Sequence, residues 1–147
     1  MSGDIAVSIV NYGTADLVIE AVESVLARDH GGRRVEVHVV DNASPGDDAA
    51  VLEAAPGAKD WAARGVILHL EDENHGFGRG NNVVLQALAA RETPPEFVFF
   101  LNSDAWLENE ALDILARALE ADPKACGAGA GILHEDGTPA VCAFRFP

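Results

Sequence analysis

The chain alternates four short apolar runs with four stretches of helical periodicity, and this alternation limits its fold more than any other feature. The apolar runs are residues 5–10, 35–40, 66–70 and 97–101. Between and after these runs, apolar residues recur at i, i+3 and i+4, as at Leu17, Val18, Ala21 and Val22. Strands that alternate with helices form a largely parallel sheet with helices on both faces. We therefore predict an α/β fold in a single domain that covers residues 1–147.

Polar residues follow the runs at the points where strands would leave the sheet. They are Asn11 and Tyr12, then Asp41, then Asn74, and finally Asn102, Ser103 and Asp104. The carboxyl ends of parallel strands meet at one edge, and ligands bind at that edge in open α/β sheets. The sequence therefore predicts a ligand site there. Two simpler interpretations stay open: Asp41 could cap a turn or helix, and Asp104 could belong to a polar turn after a core strand.

Local patterns add detail to the predicted helices. Thr14 and Asn109 are candidate caps of the helices that follow them. Residues 49–63 are expected to be helical in part, with an interruption at residues 56–57 and with Trp61 in the core.

Three glycines, Gly76, Gly78 and Gly80, alternate before the third helix. They predict a loop whose backbone approaches another group closely, followed by a helix that begins after Asn82. The spacing G-x-G-x-G after a third strand differs from the G-x-G-x-x-G of a dinucleotide fingerprint after a first strand. This difference excludes a nicotinamide-binding domain.

The last apolar run and the residues after the fourth helix predict the end of the fold. The run at 97–101 is continuously apolar, which predicts a strand that is buried on both faces. Residues 134–137 are expected to form a hairpin turn, and residues 140–146 a return strand. The sheet is thus predicted to be followed by a β-hairpin-like segment.

The acidic composition limits the possible partners. The chain has 24 acidic and 10 basic residues, for a net charge of −14. Such a surface repels phosphate backbones and anionic membranes, so we expect no nucleic-acid partner. An anionic substrate would need a divalent metal ion or helix N-termini to offset this field. No apolar run approaches the length of a membrane span, so we predict no transmembrane segment and a cytoplasmic protein, with a position at the membrane periphery left open.

Four motifs together resemble the inverting family 2 glycosyltransferases, and within them the rhamnosyltransferase-like branch. The motifs are VSIVNY at 7–12, VDNAS at 40–44, NHGFGRGNN at 74–82 and LNSDA at 101–105. The resemblance covers nearly the whole chain, with the motifs in the family order. It implies a GT-A fold, which is Rossmann-like, and the binding of a nucleotide-diphosphate sugar, with UDP and dTDP as the leading candidates for the nucleotide.

The resemblance also implies site residues. Asp41 matches the aspartate that hydrogen-bonds the base, and Asp104 matches the last residue of the Asp-x-Asp metal motif, which would hold Mg²⁺ or Mn²⁺. Asn102 stands where that motif has its first aspartate. Arg79 carries a guanidinium suited to phosphate. The full set of implied nucleotide-sugar contacts is Val10, Asn11, Tyr12, Asp41, Asn74, Gly76, Arg79, Gly80, Asn81, Asn102 and Ser103.

No residue of the sequence is assigned as the general base that an inverting transfer needs. Glu135 and Asp136 are the last acidic residues, and both belong to the expected hairpin turn. We therefore expect the base to lie beyond residue 147, which would make the chain the donor-binding portion of a longer enzyme. The acceptor would be a glycan, a lipid-linked glycan or a natural product. The alternative is a non-catalytic module that binds the nucleotide sugar without turnover.

Two other α/β classes fit the sequence poorly. A phospho-receiver domain needs paired acidic residues after its first strand, where this chain has Asn11 and Tyr12. A nucleotidyltransferase should carry a glycine-rich basic loop there, and only Gly13 is present.

Overall fold

The computed structural model describes residues 3–140, apart from the side chains of residues 56–59. Four strands alternate with four helices, which confirms the predicted α/β order. The elements are β1 (Ile5–Asn11), α1 (Ala15–Leu26), β2 (Val35–Asp41), α2 (Asp48–Lys59), β3 (Val66–Leu70), α3 (Gly76–Ala89), β4 (Phe97–Phe100) and α4 (Ala111–Ala121).

The four strands form one parallel sheet in the order β3-β2-β1-β4. The chain adds β2 and β3 on one side of β1 and then crosses back through α3, so that β4 pairs with the other side of β1. This reversal creates a topological switch point between β1 and β4 at the carboxyl edge, the position where open α/β sheets bind ligands.

Alternate residues of β1 pack against the two helical layers. Ile5, Val7 and Ile9 belong to the larger core, which includes side chains of α1, α2 and α4. Ala6 faces the opposite side and packs in a smaller core with Val84 of α3. The predicted helices on both faces are therefore confirmed. Trp61, the predicted core residue, is fully buried and donates its indole N–H to Glu23 at 2.8 Å.

A buried arginine ties α4 to the amino edge of the sheet. The guanidinium of Arg33 pairs with Asp113 at 3.0 Å and with both oxygens of Glu120 at 2.9 Å, and it lies 5.7 Å above the ring centre of Phe97. The paired carboxylates raise the pKa of Arg33, against an opposing effect of burial. This cluster lies at the end of the sheet away from the predicted site, and we assign it to stability.

The prediction that residues 97–101 are buried on both faces is wrong. β4 is an edge strand of the sheet that the described residues form, and Phe100 is 48% exposed. A continuous apolar run does not reveal where its strand lies in the sheet, so the pattern could not distinguish an edge from the centre.

Three local predictions about the helices are also corrected. α2 runs from Asp48 to Lys59 without an interruption at Pro56, and burial of Leu52 and Ala55 packs this helix against the core. Neither α1 nor α4 has a side-chain cap of its own: Thr14 donates its hydroxyl to Asn11, and the residue before α4 is Glu110 instead of Asn109.

A hairpin turn follows α4, as predicted. The N–H of His134 donates to the Thr138 carbonyl at 2.8 Å, and Leu133 and Pro139 form an antiparallel bridge. The return strand predicted for residues 140–146 lies, beyond Ala140, outside the described residues. Among the residues that the structure describes, none of the helices is both long enough and apolar enough to cross a membrane.

Candidate functional site

The carboxyl edge of the sheet brings together the ends of β2, β1 and β4. Asn11 and Asp41 are partners in the parallel register and close β1 and β2. On the other side of β1, the N–H of Leu101 donates to the Ser8 carbonyl at 3.0 Å, and the turn that carries Asp104 follows. The strand that ends at Asp41 and the strand that leads to the turn of Asp104 therefore flank β1 on opposite sides.

Asn11 is the centre of a buried hydrogen-bond network. Its Nδ2 donates to Asp41 at 2.8 Å and to Ser44 and Asp48 at 3.0 Å each. Its Oδ1 accepts from the N–H and the hydroxyl of Thr14. Because Asn11 is fully buried and both ends of its amide are occupied, it forms the floor of the site and is not a free contact for a ligand.

Asp41 combines a structural role with remaining acceptor capacity. It is 3% exposed, and its Oδ1 accepts from Asn11 and from the Ser44 hydroxyl at 2.6 Å. Among the residues that the structure describes, its Oδ2 accepts only a long bond, 3.3 Å, from the Ser44 N–H. The turn is tight, since Ala43 has a positive φ of 55°. Both oxygens therefore take part in the turn, as the turn-capping interpretation expects, while the weakly engaged Oδ2 can still accept a second hydrogen bond.

Asp48 belongs to the same network, although no motif pointed to it. Its Oδ2 accepts from the N–H of Ala15 at 3.0 Å, so this carboxylate from α2 caps α1 in place of Thr14. A cavity of about 340 Å³ lies beside it and is lined by residues 13–17, Asp47, Asp48 and Val51. Its three carboxylates make it unsuitable for a phosphate group.

The glycine-rich motif forms the beginning of α3, so the predicted loop before Asn82 is wrong. α3 begins at Gly76, where φ is +74°, and the side chain of Asn74 accepts the Gly76 N–H at 2.8 Å. A Cβ atom on Gly80 would lie 2.9 Å from Cγ1 of Val10. The predicted close approach is therefore real, but the glycine that makes it lies inside helix α3 and contacts β1.

Asn81 points into the protein. It is 5% exposed, accepts from the Ser8 hydroxyl at 2.7 Å and donates to the Phe77 carbonyl at 3.0 Å. Because both ends of its amide have partners inside the fold, we expect Asn81 to support α3 on the sheet rather than to contact a ligand directly.

Other predicted residues of this region face solvent. Tyr12 is 53% exposed, and Asn74 and Arg79 are exposed as well. Within residues 3–140, no hydrogen bond or ion pair engages the guanidinium of Arg79, which leaves it available for an anion. The imidazole of His75 is held by Glu71 at 3.1 Å and is less suited to that role.

Asn42 is a further residue of the site that the sequence analysis did not single out, although it belongs to the motif VDNAS. It is 2% exposed, its Oδ1 accepts from the His75 N–H at 3.0 Å, and its Nδ2 donates to Asn74 at 3.0 Å and to the Gly76 carbonyl at 3.4 Å. An asparagine next to an aspartate in a strand-end turn signals local turn chemistry. Its partners are more than thirty residues away, which a single sequence does not reveal.

The turn after β4 presents Asp104 to solvent. Asn102 and Asp104 are exposed, Ser103 is half-buried, and the Asn102 carbonyl accepts the N–H of Ala105 at 3.2 Å. The next residues are anchored on α1, because Leu107 is buried and its N–H donates to the Ser24 hydroxyl at 3.0 Å.

The chemistry of this turn fits one kind of metal ion. Within residues 3–140, no group of three or more ligating side chains is present, which argues against a cage built by the protein alone. Asp104 offers a hard oxygen ligand at an exposed position. Mg²⁺ and Mn²⁺ suit such a site, since they accept one or two carboxylates and complete their coordination with water and substrate phosphates.

The parallel sheet, its helices on both faces and the polar carboxyl edge agree with the GT-A fold that the resemblance implies. The chain belongs to glycosyl transferase family 2, whose family model matches residues 5–140. No curated protein shows a significant match. The family match does not distinguish branches, so the rhamnosyltransferase-like branch stays a prediction.

Solved structures support the fold. The mannosyltransferase PcManGT from Pyrobaculum calidifontis, in complex with GDP-Man and Mn²⁺, is 24% identical with a TM-score of 0.66, over 84% of this chain and 34% of its own. TarS 1-349 from S. aureus, in complex with UDP-GlcNAc, is 22% identical with a TM-score of 0.63, over 80% of this chain and 31% of its own. The chain therefore spans about a third of the length of these structures.

Proposed function

We propose that the chain is the donor-binding portion of an inverting glycosyltransferase, which transfers a sugar from a nucleotide-diphosphate donor to an acceptor hydroxyl. The observation that carries the proposal is the placement of Asp41 and Asp104 on either side of β1 at the switch point of a family 2 fold. A nucleotide diphosphate that lies across the end of β1 would meet one carboxylate at its base and the other at its phosphates.

The base end of the proposed site is Asp41. Its Oδ2 is the acceptor with remaining capacity, so it favours a base that presents an N–H at its edge. Uracil and thymine present N3–H, which is compatible with UDP or dTDP, the nucleotides that the resemblance implies. Asn11 and Ser44 donate to Oδ1 of Asp41 and thereby fix the direction of its Oδ2.

The phosphate end needs positive charge, because the chain has a net charge of −14. A phosphate charge about 4 Å from the Asp104 carboxylate would be repelled by about 4 kcal/mol at an effective dielectric of about 20. Asp104 would hold Mg²⁺ or Mn²⁺, which when bound neutralises this repulsion and the charge that develops on the leaving diphosphate. Arg79 contributes a permanent positive charge from α3, and the exposed Asn102 and the half-buried Ser103 precede Asp104 in its turn.

The proposal leaves the general base outside the described residues. Asp136 has its Oδ1 engaged by the N–H and the hydroxyl of Thr138 within the hairpin turn, and Glu135 lies beside it on the exposed side of the same turn. Asp136 is therefore held by its own turn, and neither residue is assigned as the base. A base from residues beyond 147 would complete transfer to a glycan, lipid-linked or natural-product acceptor, and a cytoplasmic location belongs to the same proposal.

Calorimetric titration tests the donor site and ranks its nucleotides. UDP, dTDP and GDP are each titrated into the chain with Mn²⁺ and then with EDTA. We expect UDP or dTDP to bind most tightly and Mn²⁺ to be required for full affinity. Absence of binding for every nucleotide would contradict the proposal. Release of UDP from a UDP-sugar by the chain would exclude the alternative, a module that binds the donor without turnover.

A further inference from the structure

The side chain of Asn42 connects the turn of Asp41 to the beginning of α3. Its three side-chain hydrogen bonds all go to residues 74–76, and both hydrogens of its amide nitrogen are used. A buried amide that is fully satisfied by one distant segment fixes that segment, since any displacement would leave buried polar groups without partners.

The main chain of Asn42 is fixed as well. Its N–H donates to the Asn11 carbonyl at 3.0 Å, which continues the pairing of β1 and β2 by one residue. A Cβ atom on Gly80 would lie 3.7 Å from Cγ of Asn42, so α3 meets this side chain again one turn after Gly76. Arg79 lies between these two contact points, and its backbone is therefore held from both sides.

We propose that Asn42 is a positioning residue for donor binding, which sets the place of Arg79 relative to the base-binding carboxylate of Asp41. This inference rests on the proposed function. Asp41, which would contact the base, and Asn42, which supports the helix start that carries Arg79, are consecutive residues joined by one peptide unit. Asn42 would thus preorganise the distance between the base end and the phosphate end of the site.

The test compares a nucleoside with its diphosphate. Uridine and UDP with Mn²⁺ are titrated into the unaltered chain, into Asn42→Ala and into Asn109→Ala, which removes an exposed asparagine side chain that takes no part in these hydrogen bonds. For Asn42→Ala we expect UDP affinity to fall about tenfold, the value of roughly one charge-assisted hydrogen bond, while uridine affinity changes by less than about threefold. Asn109→Ala should leave both affinities unchanged.

A second variant and a ligand-free measurement keep the test decisive. Asn42→Ser keeps an uncharged polar group in the turn but cannot reach both Asn74 and Gly76, so it should show the same selective loss of UDP affinity. In both variants the amides of residues 75–76 should exchange with solvent faster than in the unaltered chain.

The outcomes separate the inference from the function on which it rests. Equal losses of uridine and UDP affinity, or unchanged UDP affinity, would overturn the positioning role and leave the donor site standing. If the unaltered chain binds neither ligand, the proposed function is overturned, and the positioning role with it.

Discussion

Asn11 donates a 2.8 Å hydrogen bond from its Nδ2 to Oδ1 of Asp41, its register partner on the neighbouring strand. The same nitrogen also reaches Asp48, so one neutral amide lies between two carboxylates. The network therefore depends on position 11 being a donor without a negative charge.

We predict that Asn11→Asp destabilises the fold with little change in side-chain shape. A third carboxylate would replace the donor, leaving Asp41 and Asp48 without it, and we expect a loss of about 3 kcal/mol in the free energy of unfolding near neutral pH. Urea denaturation measures this loss. Equal stability of the two proteins at neutral pH would contradict the network.

The contact between α3 and β1 gives a second prediction, with an internal control. Gly80→Ala would place a Cβ atom 2.9 Å from Cγ1 of the stiff side chain of Val10, and we expect a loss of about 1–3 kcal/mol in unfolding free energy. Gly78→Ala meets no atom within 4 Å and should stabilise the helix by up to about 1 kcal/mol. Similar effects of the two substitutions on the urea midpoint would show that α3 does not lie against Val10.

The α3 side of the sheet carries a pair of histidines that predicts a pH dependence. Nδ1 of His38 and Nε2 of His69 lie 2.9 Å apart. The other ring nitrogen of His38 lies 3.0 Å from a carboxylate oxygen of Glu36, which also accepts a hydrogen bond from Arg91. Glu71 interacts electrostatically with His69. Burial lowers the pKa of His69 below its usual 6.5, the neighbouring His38 lowers it further, and Glu71 opposes the shift. The unfolded chain therefore takes up this proton at a higher pH than the folded chain does.

It follows that stability contributed by neutral His69 is present above pH 6.5 and is lost as the pH falls toward its folded pKa. We expect the free energy of unfolding, measured by urea denaturation, to be lower at about pH 5.5 than at about pH 7.5, and we expect this decrease to be smaller in His69→Gln than in the unaltered chain. His134→Gln, in the exposed hairpin turn, should keep the decrease of the unaltered chain. An undiminished decrease in His69→Gln would contradict the assignment.

The sequence predicted those features that depend on local pattern and parallel topology. Apolar runs gave the four strands, and the shared direction of these strands was enough to bring Asn11, Asp41 and Asp104 to one edge. The pattern did not predict that β4 lies at the edge, because strand order depends on which connection crosses back. It also placed the start of α3 too late, because glycine has a low helix propensity. In the structure, packing of Gly80 against β1 outweighs this low propensity.

The contribution of individual amides was the least predictable part of the site. Asn81 carries the same side chain as Asn74, yet it is buried and bonds to Ser8, whereas Asn74 is exposed and accepts from Asn42 and from the Gly76 N–H. Asn42 and Asp48 act through partners on distant segments. Such roles follow from three-dimensional neighbours that neither residue type nor spacing encodes.

The most direct test of the central claim is the metal dependence of UDP binding in Asp104→Ala. Glu108→Ala is the matched control, because it removes another exposed acidic side chain from the same loop with the same change in net charge. We predict that Mn²⁺ strengthens UDP binding to the unaltered chain and to Glu108→Ala. In Asp104→Ala the factor by which Mn²⁺ raises UDP affinity should be at least about tenfold smaller. Full Mn²⁺ dependence in Asp104→Ala would contradict the assignment of Asp104 as the metal ligand of a donor site.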